Sequence, residues 1–415
     1  MARRWATVVS LASVAIALLA GPAVANATPS RRAMRKAFDS VYQTYRSDLV
    51  GICMGAIDEG RRFVKCYGRS AAGASPRPDS RTLFQIGSVT KTFTATLLAV
   101  RAHDHRVAFS DPLRRYIPRR DNRTQVPRSL TLLDAADHYS GLPRKHPVDP
   151  VPSLDNLFSQ VGYCETTPSC SVGQPGAQFL YSNFAFGVLG QALGSHDGFT
   201  ESSISAWEKD NRAQITGPLG MPVTRSWFGW QALNPSRFDH LRARGTIGSP
   251  PHEPSPPYFP SSPFEDAAGG LYSSSRDMVK WLAYSIGLSG TPKLRASHRS
   301  LFDDPALIRS RSTPADPQKE IGLAWNIDTH EHGGAKTTCV SKDGSSPGFT
   351  AYAVFVKARR NGRRVRRGAF VMLNSSPRQV KTPTIGTALV NALPRADRHS
   401  HRTYTCGDVA PSPDL

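Results

Sequence analysis

The pattern of apolar and polar positions divides the chain into recognisable pieces. A helix-like stretch, Arg31–Tyr45, is followed by two runs of strand character, Gly51–Ile57 and Arg61–Tyr67. They flank Asp58-Glu59-Gly60 and predict a β-hairpin. A polar loop reaches Arg81. The strand-like Leu83–Ile86 then leads into an apolar-periodic helix from Val89 to His103. The middle of the chain is helical and irregular, with candidate helices at Leu130–His138, Phe184–Leu193 and Ser203–Ile215. Thr246–Pro263 is rich in Pro and Ser, too polar for a core, and reads as a long surface loop rimming a site. From Ala267 onward strand and helix signals alternate: Gly270–Tyr272, helix Ser275–Ile286, strands near Leu323–Ile327, Phe349–Val356 and Gly368–Leu373, then helix Thr384–Leu393. Strands at both ends with helices between them predict an α/β (α+β) fold, one sheet built from the two termini with a helical lobe inserted.

Composition changes this picture little. A chain of 415 residues, 39% hydrophobic and 20% charged, has ample core and is neither a disulfide-stapled miniprotein nor disordered. Residues 1–27 are set aside as a secretory leader. Arg3 and Arg4 give the positive start, Trp5 to Ala20 the apolar stretch, and Ala25-Asn26-Ala27 the small residues of a cleavage site. The mature chain then begins near Thr28 and is exported, periplasmic or secreted, with no further segment of membrane length.

Charge and cysteine matter more. With 52 Lys+Arg against 32 Asp+Glu the net charge is +20, which attracts polyanions. Export favours an anionic cell envelope over nucleic acid. The densest basic run, Lys357 to Arg367, spans Asn361-Gly362 and reads as a solvated hairpin tip; without interleaved aromatics it offers bases no stacking surface. Six cysteines in an exported chain imply bridges. A two-residue turn at Glu59-Gly60 places Cys53 opposite Cys66, Cys164 and Cys170 lie close around Thr167-Pro168, and Cys339 is left with Cys406. No tight CxxC spacing supports a metal, and the pairs His103/His105 and His330/His332 read as surface histidines. No cofactor is expected.

Candidate chemistry begins at Gly87-Ser88-Val89-Thr90-Lys91. Residues three apart lie on one helix face, so Ser88 and Lys91 can share a hydrogen bond, with Ser88 at the positive helix end. A serine becomes a nucleophile when a base takes its proton, and a desolvated lysine is such a base. Tyr181-Ser182-Asn183 follows a Pro-Gly turn and precedes a helix; Tyr181 would relay protons, and Asn183 would hold Lys91 or a substrate carbonyl. Lys342-Asp343-Gly344 precedes Ser345-Ser346-Pro347-Gly348-Phe349, entering a strand whose first N–H groups point into a cleft. Gly344-Ser345-Ser346-Pro347-Gly348 formally matches a nucleophile elbow, but that motif needs a following helix and an N–H where Pro347 has none.

Together these motifs closely resemble the penicillin-recognising serine hydrolases, specifically the class C β-lactamase group with its D-alanyl-D-alanine carboxypeptidase/endopeptidases and esterases. Supporting stretches are Leu130–Asp134, Tyr139–Pro143, Pro218–Met221, Ala268–Ser273 and Gly322–Trp325. Gly141–Arg144 and Tyr181–Phe186 look closest to the carboxypeptidase/endopeptidase branch. The resemblance implies a central antiparallel sheet flanked by helices over residues 28–398, with the α/β part about 31–86 and 266–395, a helical lobe about 87–265, and a tail at 399–415. It also implies Ser88 as the acylated nucleophile, Lys91 with Tyr181 as its base, and Asn183 and Lys342 as orienting groups. The oxyanion hole would be the N–H groups of Ser88 and Ser345. Its substrates would be peptidoglycan-type peptides, β-lactams or esters.

One residue departs from the family pattern. Where the family usually has a hydroxyl that binds a substrate carboxylate, this chain has Asp343, which repels such a carboxylate unless Lys342 or another cation offsets it. Asp343 then directs the enzyme towards endopeptidase, amidase or ester substrates; alternatively it points away or pairs with an arginine such as Arg378. Asn374 is a further substrate-contact candidate. The competing readings are a class C β-lactamase, an esterase or amidase of the same fold, and an inactive wall-binding relative.

Overall fold

The computed structural model describes residues 29–73, 75–117, 126–145, 173–194, 206–248, 253–254, 266–311, 319–332, 335–360, 362–376, 381–394 and 406–407. The leader, Cys164 and Cys170, Arg378, most of Thr246–Pro263 and most of the tail lie outside them. Among the described residues no helix is long and apolar enough to cross a membrane.

Eight antiparallel strands form the main sheet, in the order Arg61–Gly68, Gly51–Asp58, Arg367–Leu373, Phe349–Lys357, Ala335–Ser346, Trp325–His332, Lys319–Gly322 and Arg309–Ser310. The N-terminal hairpin thus docks on the C-terminal strands, as the alternating signals require. Strand period two sorts the side chains into two cores. Tyr352, Val354 and Val356, with Ala369 and Val371, pack against Met34, Phe38 and Val41 of helix Arg31–Tyr45 and Ile385 and Leu389 of helix Thr382–Ala392. Ala351, Ala353 and Phe355, with Phe370 and Met372, face the helical lobe. Ser30 caps the first helix by accepting the Ala33 N–H.

The hairpin forms as expected. Glu59 and Gly60 both take left-handed backbone, with φ of 44° and 89°, the geometry whose twist matches paired strands. Cys53 stands opposite Cys66 and is bonded to it, and Cys339 is bonded to Cys406. The basic run Lys357–Arg367 is a hairpin tip, with Arg359–Arg360 paired to Arg363–Arg364.

Four expectations change. Leu323 and Ala324 form a left-handed turn rather than the start of a strand, because Asp137 Oδ1 accepts the Leu323 N–H at 2.5 Å and the Ala136 carbonyl accepts that of Ala324. Lys342, Asp343 and Gly344 lie within strand Ala335–Ser346 rather than at the entrance of the next one. The Thr246–Pro263 stretch is not loop throughout: Thr246–Ile247 pairs with Glu253–Pro254 and with Ser375–Ser376. The helix expected over Leu130–His138 is confined to Leu132–Ala136, with Thr131 and Asp134 as a capping box. Helix Pro292–Phe302, capped by Thr291, is an element beyond those expected.

Candidate active site

A short sheet of Leu83–Gln85, Leu271–Ser274 and Arg225–Ser226 delivers the chain to the site. The Ile86 N–H closes on the Leu271 carbonyl, Gly87 turns with φ 50°, and Ser88 sits on a single turn ahead of helix Thr90–His103. Every residue of that helix from Thr90 to Arg101 is buried, which immobilises its first turn. Lys91 is fully buried, and its Nζ donates to Ser88 Oγ (3.0 Å), Asn183 Oδ1 (2.6 Å) and the Ala268 carbonyl (2.6 Å). All three of its protons are therefore placed, one of them on the serine.

Tyr181 reaches the same oxygen from the opposite element, its Oη donating to Ser88 Oγ at 2.7 Å. The segment carrying it is pinned residue by residue. The His138 carbonyl accepts the Leu180 N–H, His138 Nδ1 accepts the Ser182 N–H at 3.0 Å, and the Arg144 carbonyl accepts the Asn183 N–H. Ser182 Oγ also donates to the Pro143 carbonyl while accepting the Ala185 N–H, which starts helix Asn183–Gly194.

The third piece comes from the main sheet. Lys342 Nζ lies 5.4 Å from the Tyr181 ring centre and donates to Asp343 Oδ1 at 3.0 Å. Two glycines let the strand end lie against the serine turn. A Cβ on Gly344 would sit 2.1 Å from the Ile86 carbonyl oxygen and 3.0 Å from the Ser88 nitrogen, and one on Gly87 would sit 2.6 Å from the Ser345 nitrogen. Ser345 is thereby brought beside Ser88.

The electrostatics follow from this packing. Burial, reinforced by the Lys342 ammonium, draws Lys91 below the usual lysine range. Burial opposes ionisation of Tyr181, but the Lys91 and Lys342 ammoniums outweigh it and hold the phenol below its ordinary value. Burial likewise opposes charge on Lys342 and Asp343, and each overcomes it through the other: the lysine is raised, the carboxyl lowered. The pair is charged, and Asp343 finds its cation in Lys342; Arg378 lies outside the described residues.

Ser88, Lys91, Tyr181, Asn183, Lys342, Asp343, Gly344 and Ser345 therefore converge. Asn374 does not join them. It is fully buried, and its amide donates to the carbonyls of Arg69 and Arg244, so it ties two segments together rather than presenting a substrate contact. The structure adds residues the sequence reading passed over. His138 is buried with φ 62°, its ring 4.2 Å from that of Tyr181. Burial and the surrounding cations keep it neutral, so with Nδ1 accepting, the proton is on Nε2. Arg144 lies over the Tyr181 ring at 5.2 Å, and Arg311 lines the small cavity shared by His138, Tyr181, Lys342 and Asp343. His138 directly precedes the Tyr139–Pro143 stretch, which was the available signal. Among the described residues no cluster of three His, Cys, Asp or Glu side chains could hold a metal.

Comparison with known proteins shows the family and the fold. The beta-lactamase family model matches residues 34–401. The D-alanyl-D-alanine-carboxypeptidase/endopeptidase AmpH of Escherichia coli K12 is 26% identical over 345 residues, 80% of this chain and 81% of that protein. A beta-lactamase of Pseudomonas fluorescens is 30% identical over 358 residues, 79% of this chain and 91% of the other. Among solved structures, a class C beta-lactamase superposes with a TM-score of 0.67 at 18% identity, covering 88% of this chain and 96% of that one.

Proposed function

Because the chain belongs to the beta-lactamase family, we propose that it is an exported serine peptidase that cleaves peptidoglycan-type peptides, with the endopeptidase reaction foremost. It is a serine hydrolase related to class C β-lactamases and to a DD-carboxypeptidase. The observation that carries the catalytic assignment is the pair of contacts on Ser88 Oγ, from Tyr181 Oη at 2.7 Å and Lys91 Nζ at 3.0 Å.

In this reading the Tyr181/Lys91 pair, both members of which are drawn below their ordinary titration ranges, takes the Ser88 proton as Oγ attacks the substrate carbonyl. The N–H groups of Ser88 and Ser345 receive the developing oxyanion. The same pair returns the proton to the departing amine, leaving an acyl group on Ser88, and then activates the water that releases it. Asn183 fixes Lys91, and Lys342 holds the potential at Tyr181. Asp343 stands where the family usually has a carboxylate-binding hydroxyl; it has no proton to donate there and it engages Lys342, so a substrate carboxylate finds no donor at that position and substrates without a free carboxylate beside the scissile bond are favoured. Residues 1–27 would direct the enzyme to the envelope, where such peptides lie.

An intact-mass time course with a penicillin tests the assignment, with Ser88→Ala as control. A lasting adduct on the wild type alone is the result expected of a peptidase. A fleeting adduct with consumption of the drug would make the chain a β-lactamase, and an adduct on Ser88→Ala would remove Ser88 from the mechanism. For specificity, Asp343→Thr is expected to raise turnover of carboxylate-terminated substrates relative to neutral esters by about tenfold or more, since a regained hydrogen bond to a charged group is worth ~1.5–3 kcal/mol. An unchanged ratio would end the specificity reading.

A further inference from the structure

A second concave site lies at the other end of the short sheet. Strand Leu271–Ser274 accepts the Ile86 N–H at Leu271, beside the serine turn, and reaches this cleft at Ser274, about 10 Å further on. The cleft encloses about 500 Å³, within the range of small-molecule sites. Its walls carry Arg81 from the loop before Leu83–Gln85, Arg237 and His240 from helix Pro235–Leu241, and Arg276 and Lys280 one turn apart on helix Ser275–Ser285.

Asp277 is the acidic residue of the lining, and it is committed elsewhere. It is buried, and its Oδ2 accepts the Val223 N–H at 3.0 Å and the Thr224 hydroxyl at 3.1 Å. Lys280 is 3.5 Å from Asp277 Oδ1 and donates to the Gly220 carbonyl. Arg81 is 3.5 Å from Asp79 at an exposed rim, where such a pair is weak. Arg237 and Arg276 have no carboxylate partner among the described residues. The backbone fixes where the arginines arise: the Arg276 N–H bonds the Ser80 carbonyl, joining the Arg81 loop to the helix, and Asn234 caps the helix carrying Arg237. Arg81, Arg237 and Arg276 are exposed and come from three elements around one cleft, and each planar guanidinium can take two oxygens of a tetrahedral phosphate in a bidentate pair.

We propose that this cleft is a second binding site, separate from Ser88, for a ligand carrying two or more linked phosphate groups. The chemistry is shared by phosphodiester polymers and by lipid headgroups that join two phosphates, either of which would hold the enzyme against an envelope surface while Ser88 works on peptide.

Titration calorimetry of the full chain with tripolyphosphate, at moderate salt, tests it. Arg237→Gln with Arg276→Gln is compared with Arg359→Gln and Arg363→Gln, a hairpin-tip pair that removes the same charge. Saturable binding of one equivalent is expected, weakened at least tenfold in the cleft pair and less than twofold in the hairpin pair. Equal weakening in both would reduce the effect to net charge and overturn the proposal, as would absence of saturable binding. Arg276→Lys, which keeps the charge and loses the fork, is expected to bind with intermediate strength and covers the case in which the double variant misfolds. Sedimentation with cardiolipin vesicles, whose headgroup joins two phosphates, then distinguishes the sources. Loss of vesicle binding in the cleft pair alone points to a headgroup, whereas unaltered vesicle binding alongside lost tripolyphosphate binding points to a soluble polymer.

Discussion

Tyr181 and Lys91 both depart downward from their ordinary titration ranges, for different reasons. The lysine is lowered chiefly by burial, and the tyrosine by cations that outweigh burial. Acylation of Ser88 is therefore expected to quicken as pH rises through an inflection below 10, the ordinary phenol value, and then to level off. Lys342→Gln removes one of the lowering cations, so the inflection in its residual activity moves upward; a pH profile of penicillin acylation reads this directly. Tyr181→Phe is expected to lose roughly 10²- to 10⁴-fold in acylation rate. Asp137 departs in the opposite direction: burial pushes its carboxyl up to about 8, against the Leu323 N–H and Arg309. The folded state then holds a proton that the unfolded chain has lost by pH 5, so this group's contribution is complete below about pH 4 and is lost as pH rises towards 8. Asp137→Asn is expected to flatten that part of the stability profile in urea titrations.

At the scale of elements, the site is a meeting of three backbones that glycine allows to touch. The end of strand Ala335–Ser346 lies against the Ser88 turn because Gly87 and Gly344 have no Cβ. Gly344→Ala requires the strand to retreat from Ile86 and Ser88, carrying Lys342 and Ser345 with it. A misplacement near 1 Å costs on the order of 100-fold in rate, so kcat/KM is expected to fall by about that factor while circular dichroism stays native. That strand also leaves little mark in the sequence. It is buried without interruption from Cys339 to Gly344, and that run includes Ser341, Lys342 and Asp343, so it carries no period-two apolar signal. Helix Pro292–Phe302 has the opposite character: Leu294, Ser297, His298, Leu301 and Phe302 are buried at helical spacing behind a Thr-Pro start, a pattern present in the sequence throughout.

For the whole molecule, Cys339–Cys406 ties the tail to the central sheet across 67 residues of chain. Cys406→Ser is expected to lower stability by roughly 4 kcal/mol on the chain-entropy account, seen as a lower denaturation midpoint, with penicillin acylation of the folded protein unchanged because Ser88, Lys91 and Tyr181 are held by other elements. The sequence by itself determined the two-ended sheet, the Cys53–Cys66 hairpin and the residue types of the site. These are local matters of period, turn chemistry and motif spacing, and a chain carries them without knowing its fold. Tertiary structure alone decided the rest. It set Asp343 against Lys342, assigned Asn374 to the scaffold, placed the neutral ring of His138 beneath Tyr181, and gathered Arg81, Arg237 and Arg276 around one cleft. Each depends on which side chains from distant segments share a low-dielectric space, and burial and pair charge are properties of that space rather than of any single segment.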